Sequence, residues 1–105
     1  HEIVGDRHGS SALDYTVNAK VGFPYLIAPE DDPRPVNHVL PAWDIATAYL
    51  AAIDLLAAER HRRLTGEGQQ IKLALADVAL AAVGNLGFVG ELHVNKETRG
   101  RNGNY

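Results

Sequence analysis

A long alanine-rich stretch after position 44 constrains the fold of this chain more than any other feature. Its apolar residues recur at the i, i+3, i+4 and i+7 positions that form one face of an α-helix. They are Ile45, Ala48, Tyr49, Ala52, Ile53, Leu56 and Ala57. The cations Arg62 and Arg63 follow, where they suit the negative end of the helix dipole, and Thr65 and Gly66 provide a C-cap. The pattern predicts a helix over about 44–64.

Two further elements are predicted downstream of this helix. Residues 70–75 alternate between apolar and polar or small side chains, which is typical of a half-buried strand. Asp77 then opens a second apolar helix over about 77–94, which glycines at positions 84, 87 and 90 loosen. The order of helix, strand and helix favours the α/β class.

The chain upstream of the long helix is less regular. All five prolines lie within one stretch, and because proline fixes φ and lacks an amide donor, they predict a long loop over 24–43 that leads directly to Asp44. A mildly apolar segment over 13–22 predicts a short helix, and residues 1–4 are interpreted as the end of a strand. The predicted architecture is therefore mostly helical, with one or two short strands.

Composition narrows the functional classes. With 105 residues, 46% of them apolar, the chain has the size and hydrophobicity of one domain. Its net charge of -3 offers no basic surface for a phosphate backbone, so nucleic acid is a poor candidate as a partner. The chain has no cysteine, and its histidines lack the spacing of a zinc-binding helix. We therefore expect neither disulfides nor a metal site.

The sequence also suggests a location for the protein. No apolar stretch approaches the ~20 residues that a membrane span needs, and no basic start followed by an apolar run marks a signal peptide. We therefore expect a cytoplasmic protein without membrane contact. The first residue is His1 rather than Met, and the last residues have the composition of a loop, which suggests a fragment of a longer protein.

Asp44 stands at the start of the predicted long helix, and two interpretations of it remain open. Aspartate is a favoured N-cap, and a cap needs no chemistry. The positive end of the helix dipole also stabilises a carboxylate in its ionised form, which is the form that attacks as a nucleophile. Asp77 has the same setting and is interpreted as a cap only. Asp14 is left open, as a structural residue or as part of a site.

Three residues shortly before Asp44 are weaker candidates for a site. His38 lies six residues upstream, near enough to share a pocket with Asp44, although a loop histidine is usually solvated. The amide of Asn37 could donate to a developing oxyanion, and the indole of Trp43 could pack against an acyl or adenine group. No spacing assigns these roles.

Four motifs in sequence order resemble one enzyme family. They are Asp14-Tyr-Thr-Val-Asn-Ala-Lys-Val-Gly22, Pro41-Ala-Trp-Asp44 with the alanine-rich helix after it, Arg63-Leu-Thr-Gly-Glu-Gly-Gln69, and the strand that leads to Asp77. In this order and spacing they resemble the middle region of the family III (CaiB/BaiF) CoA-transferases. The match departs at Asn18, where the family usually has glutamine, at Val21 and at Ala48.

The resemblance implies a fragment of a Rossmann-like large domain, spanning 1–105, of an enzyme that assembles as an interlocked homodimer. It implies that Asp44 attacks an acyl-CoA thioester, forms a mixed anhydride and then an aspartyl-CoA thioester, and passes CoA to a carboxylic acid. CoA is then a substrate, and no permanently bound cofactor is expected. The residues expected to contact the substrate or CoA are Asn18, Asn37, His38 and Trp43.

A finer resemblance points to one group within this family, and two alternatives to a transferase remain open. The residues from Arg34 to Asp44 resemble those of family members that move CoA between two carboxyls of one molecule. α-Methylacyl-CoA racemases are similar to these enzymes, but they use a histidine directly before the position of Asp14, where this chain has Leu13. The second alternative is a structural segment without activity of its own.

Overall fold

The computed structural model describes residues 11–32 and 34–101, and these form five α-helices. The helices are α1 (Asp14–Lys20), α2 (Phe23–Ile27), α3 (Ala42–Thr65), α4 (Leu75–Asn85) and α5 (Phe88–Asn95). The mostly helical architecture that the sequence predicts is confirmed for these residues. The strand predicted over 1–4 lies outside the described residues.

The longest helix, α3, extends slightly beyond the predicted range of 44–64 at both ends. Gly66 ends it in the left-handed conformation, with φ of 80°, and donates its backbone N–H to the carbonyl of Arg62. Hydrogen bonds from Arg62 and then Arg63 hold the pKa of the half-buried Glu59 below its ordinary value. The sequence signals for the end of this helix act as expected.

The strand predicted over 70–75 is wrong for the part of the chain that the structure describes. Residues 67–74 form no regular element, and α4 already begins at Leu75. Alternating polarity gives a strand only where a neighbouring strand completes the ladder, and no described residue belongs to one. Asp77 consequently lies in the first turn of α4, and no side chain makes a capping hydrogen bond there.

The single helix predicted over 77–94 is also corrected, because two helices occupy this stretch. Helices α4 and α5 meet at a bend of 52°. Gly87 lies between them with φ of 82°, a left-handed conformation that costs a residue with a Cβ atom about 1–2 kcal/mol. No single helix in the described ranges is long and apolar enough to cross a membrane, although this bent pair meets the requirement by length and composition.

The loop predicted over 24–43 is shorter in the structure. Helix α2 occupies its beginning, and Pro24 fits there because the first turn of a helix does not need its missing donor. The remaining segment, 28–41, carries His38 and ends at Pro41, which takes the N-cap position of α3. This segment leads the chain into α3 beside α1.

A small core holds the start of α3 against α1 and α4. Val17 of α1, Trp43 of α3 and Ala79 of α4 are buried in one cluster. The indole of Trp43 also lies 5.4 Å from the ring of Phe23, measured between ring centroids. Burial of an apolar side chain of this kind contributes about 1.5–3 kcal/mol. Because Trp43 directly precedes Asp44, this packing fixes the first turn of α3.

Candidate active site

Asp14, the first residue of α1, anchors the start of α3. Its side chain is buried, with the residue only 1% exposed. Its Oδ2 accepts the backbone N–H groups of Trp43, at 2.6 Å, and of Asp44, at 3.3 Å. The first N–H groups of a helix have no partner within it, and no side chain caps α3 at its own N-cap residue, Pro41. Asp14 therefore caps α3 from another helix, with its negative charge at the positive end of the dipole.

The second oxygen of Asp14 binds an imidazole. His38 Nε2 lies 2.5 Å from Asp14 Oδ1, and because an ionised carboxylate only accepts hydrogen bonds, Nε2 is the donor. The His38 ring lies edge-on to Tyr15, at 5.9 Å between centroids, and 6.2 Å from the ring of Trp43. One carboxylate thus holds both the imidazole and the first amides of α3.

Two asparagines extend this network. Trp43 Nε1 donates to Asn18 Oδ1 at 3.0 Å, and Asn18 Nδ2 donates to Asn37 Oδ1 at 2.6 Å. The same oxygen of Asn37 accepts the backbone N–H of His38 at 3.1 Å. Asn18 is fully buried, so both ends of its amide need partners, and both have them. The 28–41 segment is thereby tied to α1 and α3.

Asp44 is the exposed member of this group of residues. It lies in the first turn of α3, and its carboxylate makes no hydrogen bond to any described residue. Asp14 performs the capping that the sequence left open for Asp44, so the N-cap interpretation of Asp44 does not hold. What remains is an accessible carboxylate on a fixed backbone at the positive end of a helix dipole. Such a setting favours the ionised form of the carboxylate, which is the form that acts as a nucleophile.

Five residues singled out from the sequence lie together at this point: Asn18, Asn37, His38, Trp43 and Asp44. Asp14 connects them, although its role is left open by the sequence. Its partners His38 and Asp44 lie 24 and 30 residues away along the chain, so no local spacing indicates them. The one available signal for Asp14 is its place at the head of the first family motif. Tyr15 carries no signal for its contact with His38.

The side-chain oxygen of Asn37 and the indole N–H of Trp43 have partners inside the protein. Trp43 is 9% exposed, and its indole N–H is already engaged by Asn18. The contacts with substrate or CoA expected for these residues stay predictions. Within 11–32 and 34–101, no group of three or more histidine, aspartate or glutamate side chains lies close enough to hold a metal ion.

Comparison with known proteins identifies the family. A model of CoA-transferase family III matches residues 4–105. A 2-methylfumaryl-CoA isomerase from Chloroflexus aurantiacus is 56% identical over 103 residues, which make up 98% of this chain and 25% of that protein. The crystal structure of a CAIB/BAIF family protein from Brucella suis matches with a TM-score of 0.79 and 22% identity. It shares the fold over 93% of this chain and 25% of its own.

This chain therefore spans about a quarter of the length of both relatives. The family match, in contrast, extends over nearly all of the chain's own residues. The four motifs that first pointed to the family all lie inside the matched range. The protein belongs to CoA-transferase family III.

Proposed function

We propose that this chain supplies the nucleophilic aspartate of a CoA-transferase and that Asp44 is this residue. The position of Asp44 carries the proposal: an exposed carboxylate stands in the first turn of α3, and the buried carboxylate of Asp14 holds its backbone amide. Membership in CoA-transferase family III supports an acyl-CoA and a carboxylate as the substrates. CoA is a substrate in this scheme, and no resident cofactor takes part.

The proposed transfer takes place at the carboxylate of Asp44. One of its oxygens attacks the thioester carbonyl carbon, a C–O bond forms, the C–S bond breaks, and CoA leaves as the thiolate. The thiolate then attacks the Asp44 carbonyl carbon of this mixed anhydride, which releases a free carboxylate and leaves an aspartyl-CoA thioester. An acceptor carboxylate repeats both steps in reverse and receives CoA. No proton is gained or lost, and one difficult transfer becomes several accessible steps.

We propose a short dicarboxylic acyl-CoA as the substrate. The relative from Chloroflexus aurantiacus is named a 2-methylfumaryl-CoA isomerase. 2-Methylfumaryl-CoA, also called mesaconyl-CoA, has one thioester and one free carboxylate. Movement of CoA from C1 to C4 of the same molecule is an isomerisation, so the chemistry proposed for Asp44 accounts for such an activity.

The first prediction concerns Asp44 in the protein at its full natural length. Asp44→Asn and Asp44→Ala should lower transfer from 2-methylfumaryl-CoA by at least about a thousandfold, because they remove the attacking oxygen. Mass spectrometry after hydroxylamine or borohydride trapping should find a modification at position 44 only in the unsubstituted enzyme. Asp77→Asn is the matched control, since Asp77 is also an exposed aspartate in the first turn of a helix.

Three outcomes would contradict the proposal for Asp44. Full activity without Asp44 would leave this residue, and the chain around it, with a structural role only. An adduct that forms equally well in Asp44→Ala would place the nucleophile elsewhere. Equal losses in the Asp44 and Asp77 variants would indicate an effect on folding instead of chemistry.

A racemase is the second candidate, because His38 contacts Asp14. Racemases of similar sequence have a histidine at the position of Leu13, directly before Asp14. In this chain His38 brings an imidazole to Asp14 from another segment. The two functions differ in the atom that reacts. Incorporation of deuterium at the α-carbon of a 2-methylacyl-CoA in heavy water, without a covalent adduct on Asp44, would replace the transferase by a racemase.

We further propose that the protein works as a cytoplasmic homodimer. Large apolar side chains on α3, among them Tyr49 and Ile53, are exposed in the described structure and need a covering surface. Light scattering on the full-length protein should give twice the mass of one chain, and cell fractionation should recover it in the cytosol. A monomer at micromolar concentration, or recovery with membranes, would contradict this assignment.

A further inference from the structure

We propose that His38 forms the subsite for the free carboxylate of a dicarboxylic acyl-CoA and that Asp14 holds its imidazole in place for this purpose. The inference rests on the transfer chemistry proposed for Asp44. In this inference, the imidazole of His38 is the group that selects a dicarboxylic acyl-CoA over a monocarboxylic one. It also gives Asp14 a second task besides capping α3.

One carboxylate sets the position of His38 relative to Asp44. Asp14 Oδ1 accepts from His38 Nε2, and Asp14 Oδ2 accepts the backbone N–H of Asp44. The imidazole therefore lies next to the helical turn that carries the nucleophile. The rings of Tyr15 and Trp43 restrict it further, yet 17% of its side chain remains exposed. His38 is thus an ordered ring that still reaches solvent beside Asp44.

The second ring nitrogen of His38 is available for a ligand. Nδ1 has no hydrogen-bond partner among the residues that the structure describes. Since Nε2 donates to Asp14, Nδ1 is an acceptor in the neutral ring and a second donor in the imidazolium. The buried carboxylate of Asp14 balances the charge of an imidazolium, which can then donate from Nδ1 to an anion.

The substrate creates a need for such a donor. A dicarboxylic acyl-CoA brings a free carboxylate to a site that already contains the carboxylates of Asp14 and Asp44, and like charges at short distance repel. Among the described side chains in the hydrogen-bond network of Asp14 and Asn18, only that of His38 can carry a positive charge. Arg34, four residues earlier, is 83% exposed and forms a fork with Asp32 instead.

An imidazole also commonly acts as a general base, but the proposed reaction contains no proton transfer that would need one. CoA transfer between carboxylates forms and breaks C–O and C–S bonds without moving a proton. Anion binding, in contrast, serves both halves of the reaction, because each half leaves one carboxyl of the substrate free. The geometry of His38 therefore fits substrate selection better than proton transfer.

The test compares two acyl-CoA substrates that differ in one group. 2-Methylfumaryl-CoA has the free carboxylate, and tiglyl-CoA has a methyl group in its place. The readout is the half-saturating concentration for adduct formation on Asp44, measured by mass spectrometry in the full-length protein. The unsubstituted enzyme should prefer the dicarboxylic substrate by roughly tenfold or more, the effect of one hydrogen bond to a charged group. In His38→Gln the preference for the dicarboxylic substrate should fall below about threefold.

His61→Gln is the matched control. His61 is near the other end of α3, roughly 27 Å along the helix axis from Trp43. This variant should keep the preference of the unsubstituted enzyme. His38→Asn serves as a second substitution, so the result does not depend on whether one variant folds.

The outcomes separate this inference from the proposed function. An unsubstituted enzyme that does not distinguish the two substrates would overturn the subsite, and this measurement needs no variant. A His38→Gln enzyme that loses both substrates equally would also overturn it, because His38 would then only support the start of α3. Absence of an adduct from either substrate on the unsubstituted enzyme would instead overturn the role of Asp44.

Discussion

Asp14 joins three parts of the molecule through one carboxylate. Its backbone opens α1, its Oδ1 binds His38 of the 28–41 segment, and its Oδ2 binds the first amides of α3. A buried carboxylate is costly unless hydrogen bonds satisfy its oxygens, and three donors do so here. The same bonds fix the orientation of the backbone at Asp44. The stability and the geometry of the site therefore depend on one side chain.

We predict that Asp14→Asn lowers the free energy of unfolding by about 2 kcal/mol. The amide keeps the shape of the side chain but loses the charge, and hydrogen bonds to a charged group contribute about 1.5–3 kcal/mol each. Chemical denaturation followed by circular dichroism measures the change. Asp31→Asn, an exposed aspartate of the loop, is the control and should stay within about 0.5 kcal/mol. Equal values for the two variants would show that Asp14 does not support the fold.

Residue types and local spacing indicate Asp44 but not the network around it. A helix start is a local signal, and the alanine-rich pattern that follows Asp44 provides it. The bonds of Asp14 to His38 and to Trp43 join residues 24 and 29 positions apart. Such pairs form only when α1 packs against α3, and sequence periodicity carries no information on that packing. For the same reason Asn37 could be named as a candidate but not assigned its partner.

At the scale of elements, local signals predict helices better than their interruptions. The spacing over 44–64 identifies α3 because each successive turn places another apolar residue on the same face of the helix. The alternation over 70–75 is a weaker signal, since a strand depends on a partner elsewhere in the chain. The sequence also does not show that the helix breaks at Gly87. Three glycines lie in that region, and only the backbone conformation shows which one separates α4 from α5.

We predict opposite effects of alanine at two of these glycines. Gly87→Ala should lower the free energy of unfolding by about 1 kcal/mol, since φ of 82° strains any residue with a Cβ atom. Gly90→Ala should raise it by about 0.5–1 kcal/mol, because Gly90 is inside α5 and its added Cβ would meet no atom within 4 Å. Thermal melting of both variants measures the difference. A stabilising Gly87→Ala would indicate that α4 and α5 form one continuous helix in solution.

At the scale of the whole molecule, the chain leaves much apolar surface uncovered. Its radius of gyration is 16.9 Å, whereas a compact domain of about 100 residues has about 13 Å. The apolar face of α3 is largely exposed in the described structure, with Ile53 60% exposed. A face of this kind ordinarily packs against another element or another chain. We therefore infer that this face of α3 is covered in the full-length protein.

We predict that a charge on this face destabilises the full-length protein although the residue is exposed in this chain. Ile53→Asp should lower the free energy of unfolding by about 3 kcal/mol or more, because it would bury an unpaired carboxylate once the face is covered. Ala51→Asp is the control, since Ala51 belongs to the same helix but lies outside the apolar set. Melting temperature and soluble yield of both variants provide the measurement. Equal tolerance of the two charges would mean that this face of α3 remains in contact with water in the full-length protein.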